Sequence, residues 1–390
     1  MDKRNLVIIG ANEFQAPLIL KARELGYICH VFAWQSGDIG ERLADYFYPI
    51  SIVETDRILD ICRRLNPVGV VSIGSDLAAI TVNYIAEKLG LTGNGMASAV
   101  TATNKHLMRR AFDAAGLPSC KSRLLSSPQE ALALKLRFPV IVKPTDRSGS
   151  RGIFRVDESS QLSAAVDEAM SVSFEKKALV EEYAPGREYS IEYISWQGEH
   201  HFLACTEKFT TGAPLFVETG HIQPPLHMSG ETLTRIQLLV PRVLDCLGVR
   251  FGASHTELKI DETGSIRLIE CGARMGGDCI GSDLVYVSSG TDFVRACVDV
   301  ACGREPELQP PPGFESRVCA IRFIFCQRDL DDFDYIRRHY PEAIYRVSNI
   351  LPIDGRRISD SSTRYGFYIL SAATREDMVE ILKHIDFDLE

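Results

Sequence analysis

The chain has 390 residues, 45% hydrophobic and 24% charged, ordinary values for a folded globular protein with room for two or three cores of about 100 to 200 residues each. Its 43 lysines and arginines stand against 52 aspartates and glutamates, a formal charge of −9, and without a long basic run this argues against nucleic acid as the main partner. No apolar run approaches a membrane span, and the run at 6–9 is too short for a signal-peptide core.

Eleven cysteines, without a CxxC pair, lie mostly among apolar neighbours. That predicts reduced, buried thiols in a cytoplasmic protein and gives little support to a zinc site.

In chain order, an apolar strand at 5–9 ends at Gly10, a helical pattern through Ala16, Ile19, Leu20 and Ala22 stops at Gly26, and a second apolar run follows at 28–32. Strand, helix and strand in succession form the unit of a parallel sheet. A helix at 58–65, a buried strand at 68–73 and a helix at 77–89 closed by Gly90 repeat it. An N-terminal Rossmann-like domain over 1–100 is therefore expected. Gly10-Ala11-Asn12-Glu13 stands where a dinucleotide fold would carry GxGxxG, but the second and third glycines are missing, so a nicotinamide cofactor is not expected.

Beyond 100 the pattern mixes α and β. A helix at 105–115 is followed by a strand at 138–142, the polar loop Thr145-Asp146-Arg147-Ser148-Gly149-Ser150-Arg151-Gly152 and a strand at 153–156. A loop between two such strands is a hairpin able to fold over a ligand. Strands are read at 178–183, 188–194, 201–207 and 252–260, with helices at 232–247 and 292–302. Gln309-Pro310-Pro311-Pro312-Gly313 reads as a stiff linker, followed by strands at 317–325 and 367–370 and a last helix at 376–385. The expected division is 1–100, 101–305 with a mobile lid at 120–186, and a C-terminal α/β subdomain at 306–390.

Two carboxylates carry the chemistry. Glu257 and Glu270 each end or interrupt an apolar strand, and the hairpin turn Asp261-Glu262-Thr263-Gly264 lies between them. Counting outward from position 263 puts them nearly opposite one another, about 5 Å apart on one face. Such a pair repels unless a cation lies between, and hard oxygen donors suit Mg²⁺ or Mn²⁺ carrying a polyphosphate. Either residue alone would more often be a solvated charge on a hairpin. Arg274 and Gly276-Gly277-Asp278 follow within a few residues: an arginine to take charge on a transferring phosphoryl group, and glycines to bring backbone N–H groups near an anion. Lys143 ends a buried strand, where a phosphate is its natural partner, and the loop bearing Ser148, Gly149 and Gly152 can cover the same phosphates.

These pieces, in this order, resemble the ATP-grasp superfamily over about residues 1–305. The resemblance rests on Phe138-Pro139-Val140-Ile141-Val142-Lys143-Pro144, on Leu179-Val180-Glu181-Glu182-Tyr183-Ala184-Pro185-Gly186-Arg187-Glu188-Tyr189-Ser190, and on Glu257 with Glu270 to Arg274. It implies a cytoplasmic ATP- and Mg²⁺-dependent (or Mn²⁺-dependent) carboxylate–amine ligase working through an acyl phosphate on small-molecule acid and amine substrates. Neither nucleic acid nor membrane is expected as a partner, and a homodimer is left open.

By this resemblance Lys105 and Lys143 would contact the phosphates, Glu181 and the Ala184 backbone would hold adenine, Glu188 would hold the ribose, and Glu182 would be a further nucleotide-binding residue. Glu257 and Glu270 would ligate the metal, while Arg274 and His255 would be catalytic. The family text has asparagine two residues after the second metal carboxylate, where this chain has Gly272. The stretch Arg274-Met275-Gly276-Gly277-Asp278 and the loop at 216–221 are most similar to the L-amino acid ligase branch, with Glu218, His221, Gly276 and Gly277 as substrate contacts. The alternatives are a purine-pathway or carbamoyl-phosphate-type ligase and a non-catalytic ATP-binding regulator. A ribose phosphate would need a basic pocket, for which Lys3, Arg4, Lys21 and Arg23 are the badly placed candidates.

Overall fold

A computed structural model describes residues 4–387; Lys3 lies outside the described residues. The chain opens with a four-stranded sheet of β1 (Asn5–Ile9), β2 (Ile28–Ala33), β3 (Tyr46–Pro49) and β4 (Gly69–Val71), ordered β3-β2-β1-β4 and parallel throughout. Its helices are α1 (Ala16–Glu24), α2 (Ile39–Leu43), α3 (Thr55–Leu65) and α4 (Asp76–Leu89). Alternate strand residues face opposite ways. Leu6 and Ile8 pack with Leu18, Ile19 and Ala22 of α1, while Val7 and Ile9 pack with Ile58, Leu59 and Ile85 of α3 and α4. Ser75 caps α4 by accepting from the Ala78 amide, and Gly90 ends it in the left-handed conformation.

Two helices, α5 (Gly95–Thr103) and α6 (Lys105–Ala114), lead into a second sheet of β5 (Ser122–Leu125), β6 (Val140–Pro144), β7 (Phe154–Val156) and β8 (Ala178–Glu182), ordered β5-β8-β6-β7. The expected hairpin is present, β6 pairing antiparallel with β7, and α7 (Ser159–Val172) covers the sheet with Leu162, Val166 and Ala169.

The third sheet has eight strands in the order β13-β12-β9-β10-β11-β14-β16-β15. They are β9 (Arg187–Trp196), β10 (Glu199–Thr210), β11 (Glu218–Gln223), β12 (Gly252–Ile260), β13 (Ile266–Gly272), β14 (Val318–Ile324), β15 (Ile344–Val347) and β16 (Gly366–Ala372). Associated helices are α8 (Gly230–Leu247), α9 (Val285–Ser289), α10 (Phe293–Ala301), α11 (Gln327–His339) and α12 (Arg375–Leu382). The strands after the proline-rich segment thus continue the sheet that begins at β9, through the β11–β14 pairing.

One expectation is corrected here. The segment read as a loop at 216–221 enters a strand at Glu218, so His221 sits in β11 between β10 and β14. Its polar composition hid the strand, because these polar side chains face a cavity rather than water.

Candidate active site

The two-residue period of β9 and β12 sorts apolar from charged side chains. Tyr189, Ile191, Tyr193 and Leu258 pack under α8 with Ile236, Val240 and Val243. Glu188, His255, Glu257 and Lys259 are thereby turned to the other face, where they line a cavity of about 660 Å³. Strands of the second and third sheets form its wall, and the first domain contributes a loop at Asn12 to Phe14 and the start of α4.

Glu257 and Glu270 are direct register partners across β12 and β13, with a bulge immediately after Glu257. The hairpin count therefore placed them correctly. Each meets a lysine: Lys208 Nζ is 2.6 Å from Glu257 Oε1, and Lys105 Nζ is 2.9 Å from Glu270 Oε2. Lys208 also lies 2.9 Å from Glu188 and 3.8 Å from Glu218. Burial disfavours its charge, but these carboxylates hold its pKa well above the ordinary value. Burial would likewise raise the Glu257 pKa, yet Lys208 and His255 push it well below the carboxylate range.

His255 donates from Nδ1 to the fully buried Glu192 and lies 3.1 Å from Glu257 through Nε2. Burial works against its protonation, and the two glutamates overcome this, raising its pKa to about 9. Glu192 also accepts the Gly276 amide at 2.8 Å. A Cβ at Gly276 would lie 2.6 Å from Glu192 Oε1 and 2.8 Å from His255 Nδ1. Gly276 is therefore a close-approach position whose N–H is already spent, a correction to its reading as a substrate contact. Gly277 does line the cavity.

On the opposite wall, Glu181 binds Arg109 through both oxygens, at 2.7 and 3.2 Å, and Lys143 Nζ at 2.7 Å. Burial alone would raise its pKa; Arg109 and Lys143 instead depress it to about 2. This carboxylate orients Lys143 while lining the cavity, and its Oε1 accepts only from Arg109. Glu182 and Ala184 line the cavity beside the turn into β9. That turn presses on β12: a Cβ at Gly186 would lie 2.0 Å from the Ile260 carbonyl oxygen.

In the β6–β7 loop, Ser148 and Gly149 line the cavity, and Ser150 donates to the Phe216 carbonyl at 3.0 Å. Gly152 stands back from it, against Val172 and Pro144. At the far end Glu218 and His221 of β11 meet Asp278 and Arg364. Arg364 makes a bidentate pair with Asp278 at 2.7 and 2.9 Å and lies 3.5 Å above the Phe323 ring. Burial raises the Glu218 pKa, and burial lowers that of His221, whose Nε2 lies 3.5 Å from Asp278 while its Nδ1 has no hydrogen-bond partner. From the first domain Asp76, the first residue of α4, pairs with Arg274.

Sequence reading did not single out Lys208, Glu192, Asp76 or Arg364 as site residues. Lys208 and Glu192 sit in strands whose alternation could have exposed them. Asp76 and Arg364 arrive from distant segments and carry no local signal.

Glu257 and Glu270 offer hard oxygen donors on one face, already neutralised by two cations, which suits a divalent metal ion. Among the described residues no group of three or more His, Cys, Asp and Glu forms a metal cage. Further donors would have to be phosphate oxygens and water, the usual manner of Mg²⁺.

The three-sheet architecture is the ATP-grasp fold, and residues 136–283 match the family model of the ATP-grasp domain. Residues 136–283 are thus an ATP-grasp domain, and the chain is similar to the ATP-grasp ligases, a family that uses ATP with Mg²⁺. Among curated proteins it is 27% identical to the alanine–anticapsin ligase of Bacillus subtilis, over 73% of this chain and 67% of that protein. It is 28% identical to the dapdiamide A synthase of Enterobacter agglomerans, over 71% and 68%. The chain thus spans about two thirds of the length of these relatives. Among solved structures, the L-amino acid ligase of Bacillus licheniformis superposes with a TM-score of 0.83 at 23% identity, covering 98% of this chain and 97% of that one. No helix among the described residues is long and apolar enough to cross a membrane.

Proposed function

We propose that the protein joins the carboxylate of an amino acid to an amine at the expense of ATP, through an acyl phosphate, releasing ADP and phosphate. The observation that carries this reading is the register pairing of Glu257 with Glu270, flanked by Lys105, Lys208 and Arg274 in one cavity. In this proposal 1–100 forms one wall, 101–305 binds the nucleotide with 120–186 as its lid, and 306–390 closes the substrate end, where Ser348, Asn349, Ser361 and Arg364 line the cavity.

A carboxylate oxygen of the acid attacks the γ-phosphorus of ATP, and the bond to ADP breaks. Lys105, Lys143 and Arg274 offset the charge on the transferring group. Mg²⁺ held by Glu257 and Glu270 would supply further neutralisation of the phosphates. The amine then attacks the acyl carbon, the C–N bond forms, phosphate leaves and the amine loses a proton. Glu188 and the Glu182–Ala184 edge hold the nucleoside, and the loop at 145–152 excludes water from the mixed anhydride. Glu218 and His221 receive the amino acid end of the substrate, a carboxyl and an imidazole able to accept hydrogen bonds from an ammonium group. The curated relatives, named for an alanine ligase and a dapdiamide synthase, support substrates of this class.

A phosphoribosyl substrate is disfavoured by the basic residues of the first domain. Lys21 is paired with Glu24 and Asp292, Arg23 with Asp45, and neither lines the cavity. The test is phosphate release over a panel of amino acids, singly and in pairs, with hydroxylamine added to trap the acyl phosphate. Hydroxamate from at least one amino acid is expected. Its absence with every acid, together with intact ATP binding, would favour the regulatory alternative.

A further inference from the structure

We infer that Asp76, reaching in from the N-terminal sheet domain, positions Arg274 for phosphoryl transfer, and that residue 272 is glycine to leave room for this pair. The inference rests on the ligase reading above, in which Arg274 meets the transferring group.

Arg274 lies just beyond the end of β13, with a long side chain that must be held in one orientation before it can favour a transition state. Asp76 holds it by two parallel hydrogen bonds, Nε to Oδ1 at 2.8 Å and Nη2 to Oδ2 at 3.2 Å. A third bond runs from Nη1 to the Met275 carbonyl at 3.2 Å. A guanidinium has about five N–H donors in a fixed fork, so roughly two remain for a ligand. Both residues line the cavity, and their side chains are only 12% and 17% exposed. Burial alone would favour a neutral Asp76; Arg274, with Lys105 and His255, keeps its pKa below the ordinary value.

Position 272 supplies the independent observation. A Cβ built there would stand 2.8 Å from Asp76 Oδ1 and 3.0 Å from Arg274 Nε. Real Cβ atoms do not come within 2.8 Å, and 3.0 Å is already tight, so a side chain there would force Asp76 Oδ1 to shift and disturb the ion pair. A side chain at 272 and the Asp76–Arg274 pair as it stands compete for the same space. Here the first domain supplies the polar group, and it thereby contributes to the chemical step as well as to the scaffold.

The test is a mutant cycle on the full chain with an acid that yields hydroxamate in the wild type, reading both hydroxamate rate and ATP affinity. Asp76→Ala is expected to lower kcat about 100-fold, the scale of losing an oriented transition-state donor, with KM for ATP changed less than threefold. Asp76→Asn, which keeps the size but loses the charge, should fall between. Gly272→Ala should lower kcat in the wild type and have no further effect beside Asp76→Ala. Asp76→Ala should also add nothing to Arg274→Ala, because residues acting as one unit are not additive. Additive losses, or a variant whose defect is confined to KM for ATP, would overturn the positioning role. So would a wild-type rate in Asp76→Ala. If the wild type gives no hydroxamate with any acid, the ligase reading fails and this inference with it. Hydroxamate in the wild type with an unaltered Asp76→Ala variant sinks the inference alone.

Discussion

Lys208 Nζ stands 2.6 Å from Glu257 and 2.9 Å from Glu188, so one buried ammonium ties β10 to the carboxylates of β12 and β9. Three carboxylates crowd this cation, counting Glu218 at 3.8 Å. Without it they would repel one another in a poorly solvated space.

Lys208→Met should therefore lose stability as well as activity. Breaking a buried ion pair by removing one partner costs about 3 to 5 kcal/mol, and removing a charge near the transferring group costs about 10² to 10³ in kcat. Urea unfolding and phosphate release would measure the two separately. A variant as stable and as active as the wild type would show that the carboxylates do not depend on this lysine.

Glu257 and Glu270 share a cation if the site works as proposed. Glu270→Ala is expected to abolish ADP formation, and excess chelator should both stop turnover and weaken ATP binding. The binding measurement, made by calorimetry with and without Mg²⁺, needs no knowledge of the substrates. Equal ATP affinity in chelator, or unchanged turnover of the variant, would remove the metal from this pair.

Glu181 gives a pH signature. Its carboxyl is held at about 2 by Arg109 and Lys143 against the opposing effect of burial. A depressed folded pKa contributes stability that is fully present above the ordinary carboxylate value, about 4.3, and is lost as pH falls toward 2. Glu181→Gln should be less stable than the wild type at pH 7, by about 3 to 5 kcal/mol. The difference should shrink steadily between about pH 4.5 and pH 2.5. Denaturant unfolding across that range checks it, and a constant difference would mean that the ion triad is not the source.

How much of this was legible in the chain depended on how local each signal was. The Glu257–Glu270 pairing could be counted from one hairpin, because a tight turn fixes the register of its two strands. The parallel β1, β2 and β4 unit announced itself by apolar runs separated by helical spacing. The strand β11 did not: Glu218, Thr219, Gly220 and His221 are polar or small, because a cavity rather than a core lies on one side of them. Glu181 could be read as a ligand contact because its neighbours fit a nucleotide, but its partner Arg109 lies 72 residues away and gave no local signal. Asp76 and Arg274 are 198 residues apart, and Arg364 reaches Asp278 across 86. Such pairs depend on how separate sheets are set against each other, which no window of sequence encodes.

Glu218 and His221 bear on which acid enters the site. Burial raises the Glu218 pKa while Lys208 and Arg364 favour its ionised form, and burial keeps His221 neutral, its pKa below the usual imidazole value. If Glu218 accepts the ammonium of the amino acid, its loss removes a charge-assisted hydrogen bond worth about 1.5 to 3 kcal/mol. Glu218→Gln should then raise KM for the acid by about 10- to 150-fold, that energy restated as a ratio, while KM for ATP stays within about twofold. His221→Asn, which keeps a neutral polar group, should cost less than His221→Leu, because Nδ1 has no partner of its own and can meet the substrate. Steady-state kinetics with each substrate varied in turn separates these effects. An acid lacking the α-amino group should bind the wild type and Glu218→Gln alike, and a Glu218→Gln defect of equal size with that acid would move the ammonium site elsewhere in the cavity.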